Sequence, residues 1–191
     1  MRWVAAAKEP RVVSKDLLID HAEYDLNHVV ADIEEIRRYN RQRYEFEMLT
    51  GILFEDRDRN ICVGYLQTTP NDFWVRCHMP EFALMPGVMM CEIAAQLASF
   101  FSQKYDLLGA EVVGLGGLEE VRFRGMIRPG DLVVVVVQLT KFRRGALIVC
   151  RFQLLVDNAI VADGIIKGIP LNYKAPAENL AQTAKAQPQS T

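Results

Sequence analysis

Between Pro86 and Gly109 the chain carries a stretch that is apolar on almost every side, and few folds can accommodate such a segment. Pro86 suits the first turn of a helix, where its missing N–H would have had no partner, and Gly109 suits the stop. Val88, Met89, Met90, Cys91, Ile93, Ala94, Ala95, Leu97, Ala98, Phe100 and Phe101 leave no broad polar side, so a helix of about 20 residues has to be enclosed by the rest of the protein. The polar exceptions are Glu92, Gln96, Ser99 and Gln103, which recur at helical spacing in one stripe. Read blandly, that stripe is a narrow solvated edge. It holds a single carboxylate, however, and His78 stands shortly before the helix, a pairing that suits acid–base chemistry.

At 191 residues, half of them apolar, the chain has material for one substantial core and too little for two domains. A formal charge of −2 points away from nucleic acid as a partner. The first thirty residues lack the apolar run and cleavage site of a secretory signal, and no apolar stretch reaches the roughly 18 residues of a membrane span, which leads to a cytoplasmic expectation. Cys62, Cys77, Cys91 and Cys150 show no CxxC or Cys/His zinc spacing. Their apolar neighbours suit small buried thiols, so neither disulfides nor a metal is expected. Cys77 beside His78 invites a nucleophile reading, but the surrounding dyad signature is absent.

In order along the chain, residues 1–30 form an amino-terminal extension without enough periodicity for an element. Asp32 caps a short helix reaching Tyr39, with Glu34 and Glu35 early and Arg37 and Arg38 late, as the helix dipole favours. Alternation begins at Tyr44–Leu49. Thr50–Glu55 and Ile61–Thr68 read as a hairpin across the Asp56–Asn60 turn. After the central helix, Ala110–Leu118 reads as a strand that Gly114, Gly116 and Gly117 loosen or open to close approach. Val133–Leu139, Leu147–Val156 and a shorter Ile160–Ile169 follow as strands with short links. Strands on both sides of one helix, with no βαβ rhythm, predict an α+β domain over 31–172 whose antiparallel sheet curls round the helix. From 173 to 191 the composition has little to bury, which predicts a disordered tail.

Several motifs in their order resemble the 3-hydroxyacyl-[acyl-carrier-protein] dehydratases, a family of the hot-dog fold. They are Cys77-His78-Met79-Pro80, Leu84-Met85-Pro86-Gly87-Val88 and Glu92-Ile93-Ala94-Ala95-Gln96, followed by Val121-Arg122-Phe123-Arg124 and Arg128-Pro129-Gly130-Asp131. Upstream, Arg43-Tyr44-Glu45-Phe46 resembles the family's His-Arg-Tyr-Pro-Phe segment with Gln42 and Glu45 replacing histidine and proline. Near the centre, Cys77, Met79 and Ala83 replace glycine, phenylalanine and proline.

The resemblance implies dehydration of 3-hydroxyacyl thioesters in fatty-acid biosynthesis without a cofactor. His78 would take the C2 proton, Glu92 would hold or relay the proton leaving with the hydroxyl, the Gly87 N–H would face the thioester oxygen, and Gln96 would orient Glu92. Met79, Phe82, Met89, Met90 and Phe123 would line an acyl tunnel, with core packing as the plainer use of the same residues. The resemblance also implies a homodimer joined edge to edge with shared sites, open to further assembly as a trimer of dimers. Such pairing would help to cover Val133–Val137, too apolar to be left bare. An acidic acyl carrier protein would be the partner, landing on Arg122, Arg124, Arg128, Lys141, Arg143 and Arg144. Two rivals stay open: a hot-dog acyl thioesterase and a noncatalytic acyl-binding subunit.

Overall fold

The computed structural model describes residues 17–171. The tail expected over 173–191 and the first sixteen residues of the expected extension lie outside the described residues. The elements are α1 (Ile33–Tyr39), β1 (Gly51–Asp56), β2 (Ile61–Gln67), α2 (Gly87–Lys104), β3 (Val112–Phe123), β4 (Leu132–Arg143), β5 (Leu147–Val156) and β6 (Ala159–Leu171). One six-stranded sheet runs β1-β2-β4-β5-β6-β3, and every neighbouring pair is antiparallel. The helix α2 packs on one face of it, touching β2 through β6. This is the helix-centred α+β arrangement expected from the greasy segment.

The valine run explains how both faces of the sheet are sealed. Side chains alternate along a strand, so Val133, Val135 and Val137 join the core under α2, with Ile93, Leu97 and Phe100. Val134 and Val136 point the other way, into a second cluster with Leu53, Ile61, Val63, Leu155 and Ile19. The cover on that outer face is the chain's own residues 17–24, with Leu17, Leu18 and Tyr24 packed against the cluster. No second subunit is needed to hide this run. The segment had offered no periodicity, yet it holds a short 3-10 turn at His21–Glu23, closed by a capping box between Asp20 and Glu23. Ile19, only 5% exposed, anchors it, and burying such a side chain contributes about 1.5–3 kcal/mol. Leu18 N–H donates to the side chain of Gln153 at 2.9 Å.

Where α2 begins and ends differs from expectation at both termini. Pro86 is the N-cap rather than a first-turn residue, and its carbonyl accepts from Met89 N–H at 2.9 Å. The helix stops at Lys104, before Gly109. Asp106 takes the left-handed conformation with φ +48°, while Asp106 N–H bonds Gln103 O at 3.1 Å and Leu107 N–H bonds Ser102 O at 2.9 Å. That is a Schellman stop with aspartate in glycine's usual place. Arg144 holds Asp106 there, its Nη2 2.6 Å from the carboxylate.

The remaining differences are local. Tyr44–Phe46 is a 3-10 turn, not the start of an alternating strand. The strand after α2 continues to Phe123, with register shifts at Leu115/Gly117 and Glu119/Arg122. Close approach occurs there as expected: a β-carbon on Gly114 would stand 2.8 Å from the Leu171 side chain. Cys62, Cys91 and Cys150 are buried, but Cys77 is exposed, since the turn that carries it lies on the surface. Val30 and Ala31 bond to Ile52 along the outer border of β1, whereas β3 at the opposite border pairs, among the described residues, with β6 alone. Among the described residues no helix is long and apolar enough to cross a membrane.

Candidate active site

Residues 69–86 form the loop that carries His78, and buried Trp74 pins it to the core. His78 N–H donates to Trp74 O at 2.8 Å, and its carbonyl accepts from Leu84 N–H at 2.9 Å. The ring is held as well, with Nδ1 2.9 Å from Leu84 O. A carbonyl can only accept, so this contact assigns the proton of the neutral ring to Nδ1 and leaves the lone pair on Nε2. Met79 and Phe82 bond to each other across the turn that follows, and both side chains are exposed.

Glu92 is positioned by a chain of contacts that starts at α1. The Arg37 guanidinium grips Glu47 with two bonds, Nε–Oε1 at 2.6 Å and Nη2–Oε2 at 2.8 Å. That hydrogen-bonded guanidinium holds the Glu47 carboxyl below its usual range. Fixing Glu47 fixes its neighbours, Phe46 and Met48. Gln96 bonds both: its Oε1 accepts from Met48 N–H at 3.0 Å, and its Nε2 donates to Phe46 O at 2.8 Å. The same Nε2 donates to Glu92 Oε1 at 2.8 Å. Asn40 Nδ2 ties the segment to the helix again through Gln96 O at 3.0 Å. Gln42 Nε2 approaches Glu92 Oε1 at 3.5 Å.

The stripe on α2 is therefore not a solvated edge at its centre, because Gln96 is 2% exposed and fully engaged. Glu92 itself is half-buried and lines an open cleft of about 410 Å³ between α2 and the β3 border, floored by Val113, Ile148 and Ile166. His78 does not line this cleft. Gly87, at the first position of α2, has an N–H with no acceptor inside the helix. Over it lies the Phe123 ring, with Cζ 2.9 Å from where a β-carbon on Gly87 would stand.

The other expected residues are dispersed. Met89 and Met90 belong to the core under the sheet, while Met79, Phe82 and Phe123 are exposed. The six basic residues fall into two groups at opposite ends of β4: Arg122, Arg124 and Arg128 near its start, Lys141, Arg143 and Arg144 at its end. One patch on one subunit cannot include both, since a strand of this length spans about 40 Å. Arg124 pairs with Asp163 at 2.6 Å, and Arg144 with Asp106. Among the described residues no cluster of three or more His, Cys, Asp or Glu could hold a metal ion. Asn40 and the Arg37–Glu47 pair were missed in the sequence, because no periodicity links residues 37–48 to a helix so far along the chain.

A FabA-like domain matches residues 40–165. The chain is 30% identical over 132 residues to a 3-hydroxyacyl-[acyl-carrier-protein] dehydratase FabZ of Clostridium botulinum (strain Loch Maree / Type A3), covering 69% of this chain and 90% of that one. It is 31% identical over 112 residues to the FabZ of Bacillus cytotoxicus, covering 59% and 77%. Among solved structures, the dehydratase heterocomplex ApeI:P from Xenorhabdus doucetiae superposes with a TM-score of 0.59 at 13% identity, covering 78% of this chain and 96% of that one. Cj0977, a sigma28-regulated virulence protein from Campylobacter jejuni, gives 0.53 at 15% identity, covering 75% and 95%. These structural likenesses establish the hot-dog fold.

Proposed function

The chain belongs to the family of FabA-like domains, and on that footing we propose that it is a 3-hydroxyacyl-[acyl-carrier-protein] dehydratase, converting 3-hydroxyacyl thioesters into trans-2-enoyl thioesters in fatty-acid biosynthesis. The observation that carries this reading is the tie between His78 Nδ1 and Leu84 O, which leaves the Nε2 lone pair free to serve as a base. Nε2 takes the C2 proton, and Glu92, held by Gln96, gives a proton to the departing C3 hydroxyl. The enolate charge that develops at the thioester oxygen is met by the Gly87 N–H at the positive end of α2. Loss of such a donor raises a barrier by on the order of 3 kcal/mol.

His78 lies away from the Glu92 cleft of its own subunit, which favours a site completed by a second copy. Two chains joined through the outer side of β3, which meets no further strand among the described residues, would bring the His78 loop of one to the Glu92 cleft of the other. The carrier would arrive at the group Arg122, Arg124 and Arg128, which flanks Phe123 and hence the start of α2. An acidic carrier protein suits that group better than the distant Lys141–Arg144 end.

Incubation with a 2-enoyl thioester tests the reading. Reversible loss of the conjugated absorbance without release of thiol is the expected result. Thiol release without hydration would make the protein a thioesterase, and neither activity would make it an acyl-binding subunit.

A further inference from the structure

The two oxygens of Glu92 are treated differently by the fold. Oε1 accepts from Gln96 Nε2 at 2.8 Å and is approached by Gln42 Nε2 at 3.5 Å. Oε2 accepts no hydrogen bond among the described residues. The two amides arrive from separate elements, Gln96 one turn further along α2 and Gln42 from the segment after α1. Gln42 also lines the cleft that Glu92 lines, so it borders the space in which the carboxyl would work.

We infer that Gln42 is a positioning residue for Glu92, and that the two amides assign the carboxyl's oxygens: Oε1 is the fixed, carbonyl-like oxygen, and Oε2 carries and yields the proton. This assignment rests on the acid role proposed above for Glu92 and adds the atom that performs it. An amide N–H can only donate, so a proton seated on Oε1 would confront two other hydrogens, whereas one on Oε2 meets none. Gln96 is immobile, because Met48 N–H and Phe46 O already hold its side chain. One donor alone still lets the carboxyl swing about that bond, and a second from another direction stops the two oxygens exchanging places.

Other charge near the cleft is sparse. Lys167 of β6 lines it with its ammonium paired to Glu119 of β3. From β3 and β5 the cleft receives Val113, Leu115 and Ile148, and from α2 it receives Ala95, Ala98 and Ser99. The nearest titratable neighbour on α2 is the Cys91 thiol, which burial pushes up and keeps neutral.

The test is carbon-13 NMR of the Glu92 carboxyl in the full chain at fixed pH, with its resonance assigned by Glu92→Gln, beside steady-state rates for hydration of a 2-enoyl thioester. In Gln42→Leu the Glu92 carboxyl resonance shifts, because one of the two donors to Oε1 is gone, and kcat falls by on the order of tenfold while KM stays within about twofold. Gln42→His, which keeps an N–H donor, restores both. An unmoved resonance in Gln42→Leu overturns the assignment and leaves the acid role of Glu92 standing. A moved resonance with unchanged kcat overturns the proton-carrying role of Oε2. If the wild-type chain hydrates nothing, the acid role and the Oε2 assignment fall together, while the NMR shift still decides whether Gln42 holds the carboxyl.

Discussion

The ring of Phe123 fills the place that a β-carbon on Gly87 would take, with Cζ 2.9 Å from that point. Since Phe123 is 52% exposed, its ring has somewhere to go. Gly87→Ala is therefore expected to fold, with a stability loss of about 1 kcal/mol or less, and to lose turnover on 2-enoyl thioesters because the ring and methyl crowd the Gly87 N–H. The double variant Gly87→Ala/Phe123→Ala should regain part of that turnover if crowding is the cause. Thermal unfolding beside steady-state rates separates the two effects.

The tie between His78 and Leu84 fixes which ring nitrogen is free, and Gln96 fixes one side of Glu92. His78→Ala and Glu92→Gln are each expected to lower turnover by about 10²-fold or more without unfolding the protein. Mixing the two inactive variants should restore about one intact site in two within mixed dimers, because each site would draw its base and its acid from different chains. Mixtures as inactive as their parents would place both groups in one chain.

Gln96→Leu removes three hydrogen bonds at once and leaves the buried N–H of Met48 without its acceptor. An unpaired buried donor costs about 1–3 kcal/mol, so a loss of about 2–3 kcal/mol in urea unfolding is expected. Turnover should fall further than in stability-matched core variants, since Glu92 loses its nearer holder.

Tyr24, on the segment that covers the outer face, has its phenol pushed up to about 12 by burial and by the nearby Asp20 carboxylate. The folded form thus keeps its proton where the unfolded form, near 10, has lost it. The stability Tyr24 contributes is complete below about pH 10 and is lost as pH rises towards 12. Denaturant midpoints measured across pH 9–12 should fall more steeply for the wild type than for Tyr24→Phe. Parallel curves would dismiss the effect.

Much of the core was legible because its signals are local. The apolar positions of α2, the Asp32 cap and the apolar runs of β4 and β5 each reflect burial or capping that a few neighbouring residues dictate. What escaped is long-range. Leu17, Leu18 and Ile19 look unremarkable until the outer face of β4 needs them. Gly109 has the right chemistry for a helix stop, but Arg144, nearly forty residues on, lets Asp106 serve earlier. Glu92 stood out as a lone acid; the Arg37–Glu47 pair and Asn40 that steady its surroundings did not, because their bonds join segments far apart in sequence.

The short pairing of Val30 and Ala31 with Ile52 occupies part of one border of the sheet, while β3, paired with β6 on its inner side, meets no further strand among the described residues. In the language of polymer growth, such a sheet is close to monofunctional. Joined once through β3, as proposed, two copies would present their partly occupied β1 borders outward and little to propagate from. Val30 and Ala31 would then act as a chain terminator, separating a sheet that can pair from one that could lengthen without limit.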